Sequence, residues 1–133
     1  MQEALENHLK VLEFFQEREK DNFSLLSVVN NNAGVAYLGC QKPDLALEHL
    51  KRAYELAADM SEIARAEPAW NMARAWRQKQ EGERELACLE EAYPIFLEVY
   101  GEKHPKTKAA RERLEEYGQL QNQGEEAKGT AGI

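Results

Sequence analysis

Apolar residues recur three and four positions apart along most of this chain, the spacing that gathers them on one face of an α-helix. The pattern is clearest from Asn30 to Leu56. Ala33, Gly34, Ala36, Ala46 and Ala53 are small there, whereas Tyr37, Leu38, Leu47, Leu50 and Tyr54 are large. Two short amphipathic helices joined by a tight turn follow, with Pro43 placed to open the second from its first turn. Small residues on facing helices let two backbones approach closely, and the large ones fill the space beside them. A single hairpin of this kind cannot bury its own apolar face, so it needs neighbours on both sides.

The spacing predicts about six helices. The first runs from Gln2 to about Lys20, with Leu5, Leu9, Val11, Leu12 and Phe15 as its apolar stripe. The second spans about Ser24 to Gly39, the third about Pro43 to Asp59, and the fourth ends near Gln80. Ser61 could cap the fourth, but Pro68 favours a start near Glu67, where a missing N–H does no harm. The fifth spans about Glu83 to Tyr100. A kink is expected at Pro94, because the apolar spacing continues through Ile95, Phe96 and Val99. Gly101 ends it, and the sixth follows His104-Pro105 to about Tyr117. Residues 1–118 read as one helical domain. Residues 119–133 lack apolar periodicity and read as a flexible tail.

The hairpin recurs. Aligning Asn32 with Asn71 sets an offset of 39 residues, at which Ala36 meets Ala75, Tyr37 meets Trp76, Leu47 meets Leu86 and Leu50 meets Leu89. Ala53 and Tyr54 meet Ala92 and Tyr93, and Gly34 meets Ala73. Ala46 meets Glu85, which spoils one packing position. The pattern resembles the tetratricopeptide repeat. Ala33, Gly34 and Tyr37 stand for the family's Leu-Gly-x-x-Tyr, and Ala46, Leu50 and Ala53 for its Ala-x-x-x-Phe-x-x-Ala. Asn30 replaces the family's Trp, and Ala58 its closing Pro. The offset exceeds the usual period of about 34 residues. Gly101, His104 and Pro105 resemble the kinesin light chain type of repeat, in which a longer second helix ends in Gly and His-Pro opens the next repeat. The resemblance implies an all-α fold of antiparallel helix hairpins stacked as a right-handed solenoid. If Leu114 takes the family's Leu position, Glu115 stands where Gly should be, so the last helix reads as a solubilising cap.

Composition narrows the class. Hydrophobic residues at 43% and charged residues at 31% suit a folded helical chain rather than a disordered one. A net charge of −7 argues against non-specific binding to nucleic acid or to an anionic membrane. No apolar run approaches the roughly 20 residues of a membrane span. The first residues, MQEALENHLK, lack the apolar core of a secretory signal. Cys40 and Cys88 make no disulfide framework, so a reducing, cytoplasmic location is expected.

Chemistry is sparse. His8, His49 and His104 fall in no metal-ligand spacing, neither cysteine sits in a C-x-x-C pair, and there is no phosphate loop or nucleophile elbow. No catalytic residue, metal or cofactor is expected. The family resemblance implies instead that the first helices of successive repeats line a concave groove for peptides. Carried over position by position, that groove holds Val28, Asn31, Asn32, Val35 and Leu38 from the first repeat, Glu67, Trp70, Asn71, Arg74, Arg77 and Gln78 from the second, and Glu112 and Arg113 from the last helix. Asparagine amides both donate to and accept from a peptide backbone. Arg74 and Arg77 form a positive spot in an acidic chain, suited to a partner with an acidic feature. The competing expectation is that the asparagines only solvate a helix and the arginines only pair with Glu67, Glu81 or Glu83. The implied function is a protein-interaction adaptor. The alternative is a structural subunit that assembles through its outer helical faces or by homo-oligomerisation, which exposed aromatic residues would favour.

Overall fold

The computed structural model describes residues 2–18 and 22–131, with side chains described over 2–14 and 22–118. These residues form helices α1 (Gln2–Arg18), α2 (Phe23–Gly39), α3 (Pro43–Leu56), α4 (Glu62–Gln78), α5 (Gly82–Tyr100) and α6 (Pro105–Ala131), with no strand among them. The chain is therefore all-α. Each helix packs on the next in sequence, and α2 also touches α4. No helix among the described residues is long and apolar enough to cross a membrane.

The caps and turns repeat at the offset read from the side chains. Asn22 accepts from the Leu25 N–H at 3.1 Å to start α2, and Ser61 accepts from the Ala64 N–H at 3.2 Å to start α4. From α2 to α4, first residues (Phe23, Glu62) and last residues (Gly39, Gln78) are both 39 positions apart. After each, one residue turns left-handed: Gln41 at φ 57° and Gln80 at φ 61°. The Lys42 N–H then bonds the Tyr37 carbonyl and the Glu81 N–H the Trp76 carbonyl, each at 3.0 Å. Glycine usually takes this position, because a side chain there costs about 1 kcal/mol.

Close helix approach explains the small residues. A Cβ on Gly34 would lie 2.5 Å from Leu50 Cγ and Cδ2 and 3.3 Å from the Ala46 carbonyl oxygen. Ala46, Leu50 and Ala53 are fully buried. The main core joins Leu38, Leu47, Leu50, Trp76, Leu89 and Phe96. A smaller cluster of Leu12, Leu26, Val29 and Ala33 seats α1 on α2. Polar groups inside are bonded: the Ser27 hydroxyl donates to the Ala53 carbonyl at 2.9 Å, and Asn30 Nδ2 to the Leu26 carbonyl at 2.8 Å.

Helix ends differ from the sequence expectations in several places. α4 starts at Glu62, so Pro68 lies inside it. The Ser61 cap and the burial of the Pro68 ring outweigh the one backbone bond the ring removes. α3 stops at Leu56 rather than Asp59. α5, by contrast, ends where expected: it runs through Pro94 to Tyr100 and is closed by Gly101, whose φ of 87° suits only glycine. α6 continues past Tyr117 to Ala131, over a stretch whose Gln, Glu, Ala and Lys favour helix. The expected end of the first helix at Lys20 and the last two residues of the expected tail lie outside the described residues.

Candidate functional site

A cleft of about 270 Å³ opens between α4 and α6, with α5 beneath it. Trp70 from α4 and Ala109 from α6, both half-buried, give it apolar surface, and Ala73 and Leu89, each 1% exposed, lie beneath. Trp70 is held edge-on against Phe96, centroids 6.2 Å apart and planes at 69°. Arg74 and Arg77 stand on the α4 side, and Glu112, Arg113 and Glu116 on the α6 side.

Two carboxylates tie α6 to the helices before it, Glu85 to α5 and Glu67 to α4, and so hold the two walls of the cleft. Glu85, only 2% exposed, accepts from Arg113 Nε at 2.7 Å and from a terminal guanidinium nitrogen at 3.0 Å. The Tyr117 hydroxyl donates to it as well, at 2.5 Å. Burial alone would raise the Glu85 carboxyl. The hydrogen bonds from Arg113 and Tyr117 outweigh burial and hold it below its ordinary 4.5. The Arg113 guanidinium is shifted up by the same bond and by Glu116. At the other end, Glu67 of α4 accepts from the Tyr100 hydroxyl and from Lys106 Nζ, each at 2.5 Å. Burial first, then the bond to Glu67, pushes the Tyr100 phenol up to about 12. Tyr100 stacks on His104 at 4.2 Å, and His104 Nδ1 accepts from the Lys106 N–H at 3.1 Å, which shapes the turn into α6.

A second, smaller cleft of about 160 Å³ lies between α2 and α4, lined by Ser24, Val28, Asn31, Met60, Glu67 and Pro68, among others. A polar bridge links the two: Asn71 Nδ2 donates to Asn31 Oδ1 at 3.1 Å, and Arg74 donates to Asn71 Oδ1 at 3.0 Å.

Of the sequence-derived residues, Trp70, Arg74, Arg77, Glu112 and Arg113 come together at the α4–α6 cleft. Val28, Asn31 and Glu67 lie at the α2–α4 cleft. Asn71 is 5% exposed and its amide is engaged at both ends, so it positions Arg74 rather than offering itself to a ligand. Leu38 is not on the groove surface: it is 1% exposed in the core, and its carbonyl accepts from Gln78 Nε2 at 3.0 Å. Asn32 is exposed and Val35 half-buried, and neither lines either cleft. Arg113 faces the cleft with its guanidinium committed to Glu85 and Glu116. Arg77 is exposed and makes no ion pair or hydrogen bond among the described residues, and its charge adds a little to what lowers the Glu85 carboxyl. Among the described residues, Glu67, Glu81 and Glu83 pair with neither Arg74 nor Arg77.

Glu85, Leu89, Ala109 and Glu116 belong to the cleft and were not among the carried-over groove positions. Glu85 had left a signal, as the one charged residue at a packing position of the second hairpin. The histidines and cysteines are elsewhere. His49 is half-buried, stacks on Tyr37 at 5.4 Å and bonds Asn30 Oδ1 at 3.3 Å. Burial pushes the Cys88 thiol up to about 11, which keeps it protonated at neutral pH. No group of three or more His, Cys, Asp or Glu among the described residues is placed to hold a metal.

Compared with known proteins, the chain matches no family model, and searches of curated proteins and of solved structures find no match.

Proposed function

We propose that this chain is a non-catalytic protein-interaction module, a short right-handed solenoid of tetratricopeptide-like hairpins that holds a partner peptide on the surface built by α2, α4 and α6. One observation carries this reading: Arg77, which makes no ion pair or hydrogen bond among the described residues, lines with the half-buried Trp70 a cleft large enough for side chains. An unpaired cation beside apolar surface gains from a partner that brings a carboxylate and an apolar group together. The recurrence of caps, turns and helix ends at one offset supports the repeat reading. The test is capture of acidic–apolar peptides by the wild type and by the Arg74→Glu, Arg77→Glu double variant. The variant is expected to lose capture while keeping its helical circular dichroism. Equal affinity of the two proteins removes the groove assignment.

Assembly through an outer face is the second reading. Phe23 at 58% and Met60 at 42% exposure line one depression with Leu56. Light scattering over a concentration series separates it: a dimer that grows with concentration and is lost in Phe23→Ser supports assembly.

A further inference from the structure

The α4–α6 cleft has walls of opposite sign. The α4 wall presents Arg74 and Arg77, spaced one helical turn apart. The α6 wall presents Glu112 and Glu116, also one turn apart. Arg113 does not cancel the second pair, because Glu85 takes two of its guanidinium nitrogens and only the third reaches Glu116. Glu112 is exposed and makes no ion pair among the described residues. Among the described residues each wall therefore carries one uncommitted charge, Arg77 and Glu112, and Trp70 and Ala109 are the apolar lining residues that reach the surface.

From this we infer that the preferred occupant is a bipolar peptide segment: an apolar anchor residue with a carboxylate on one side and a cation on the other. This rests on the peptide-module reading above and sharpens it. A uniformly acidic segment satisfies Arg77 but meets Glu112 and Glu116, and a uniformly basic one meets Arg74 and Arg77. Only a segment that changes sign as it crosses from α4 to α6 gains at both walls. The carboxylate and the cation stand on either side of the anchor, so that each meets the wall of opposite charge. At about 270 Å³ the cleft takes one large side chain with its flanking backbone, and not a whole helix of about 10 Å diameter.

The test uses the full chain and capped, fluorescein-labelled nonapeptides with a central Glu-Leu-Lys in a Gly/Ser context, alongside Glu-Leu-Glu and Lys-Leu-Lys versions, followed by anisotropy. The wild type is expected to bind Glu-Leu-Lys about tenfold tighter than either uniform peptide, the effect of one attraction turned into one repulsion. Arg77→Glu makes the uncommitted charge on α4 negative, like that on α6, and should shift preference to Lys-Leu-Lys. Glu112→Lys makes the uncommitted charge on α6 positive, like that on α4, and should shift it to Glu-Leu-Glu. Combining the two substitutions should restore preference for Glu-Leu-Lys, which a merely damaged fold cannot do. Wild-type preference for Glu-Leu-Glu overturns the bipolar inference and leaves the acidic-partner reading standing. Equal binding of all three peptides also overturns it. No binding of any peptide overturns both, as does protein dimerisation that Arg77→Glu abolishes.

Discussion

Ala46 and Glu85 occupy the same place in the two hairpins, 39 residues apart, and both are buried. In the first hairpin the place is filled by a methyl group, and α2 approaches α3 so closely that Gly34 has no room for a Cβ. In the second it is filled by a carboxylate, clamped by Arg113 and Tyr117 from the following helix. The first hairpin is closed by contact between its own two helices. The second reaches forward and holds α6. The same position thus serves either internal packing or attachment of the next element, and the switch needs one residue plus its partners one helix on. That attachment also makes the cleft, because Glu85 draws Arg113 to the floor and leaves Glu112 at the rim.

The comparison breaks most severely if the two roles are exchanged in the wrong place. Ala46→Glu puts a carboxylate at a fully buried position and crowds Gly34 and Leu50. A loss of more than about 4 kcal/mol is expected, seen as loss of cooperative urea unfolding. Arg113→Ala leaves Glu85 buried with only the Tyr117 hydroxyl, and about 3 kcal/mol should be lost in the same assay. Glu85→Ala, which makes the second hairpin resemble the first, should cost about half as much, since the freed Arg113 keeps Glu116 and some water. Gly34→Ala is the mirror test of close approach. Its methyl meets Leu50 at 2.5 Å, so about 1–3 kcal/mol should be lost despite the better helix propensity of alanine.

Acid provides a subtler probe. The Glu85 carboxyl is held below 4.5 in the folded chain, so as pH falls the unfolded chain takes up its proton first. The stability this pair contributes is present above the ordinary value and is lost as pH falls through the lowered one. The gap between wild type and Glu85→Ala in urea unfolding should therefore close in acid, and a gap constant with pH would disprove the linkage. Smallest of all, Gln80→Gly should stabilise the turn before α5 by about 0.5 kcal/mol, by removing a left-handed side chain. Gln41→Gly should do the same before α3, so unequal responses would show that the two turns are not equivalent.

Helix periodicity and small residues at facing positions made the hairpins legible, because close packing leaves its mark on residue size within each helix. The cleft was legible only where it depends on one helix face: Trp70, Arg74 and Arg77 all project from α4. Leu38 shares the α2 stretch with Val35, and only the way α4 and its neighbours pack against α2 sends it into the core. Asn71 looked free for a ligand because its partners, Asn31 and Arg74, are set by the approach of α2 to α4 and by one rotamer. Glu85 looked like a packing fault until its partner 28 positions later was in place. Contacts made across elements are what a linear pattern cannot order.

The two tryptophans sit in unlike places, and that makes the molecule its own optical instrument. Trp70 opens into the cleft, so any occupant changes the water around its indole and the colour and yield of its emission. Trp76 lies 7% exposed beneath Lys51, Lys79 and Arg84, out of reach of a guest. With Trp76 replaced by Phe, the remaining emission becomes a label-free signal of occupancy, read at the surface where recognition would take place.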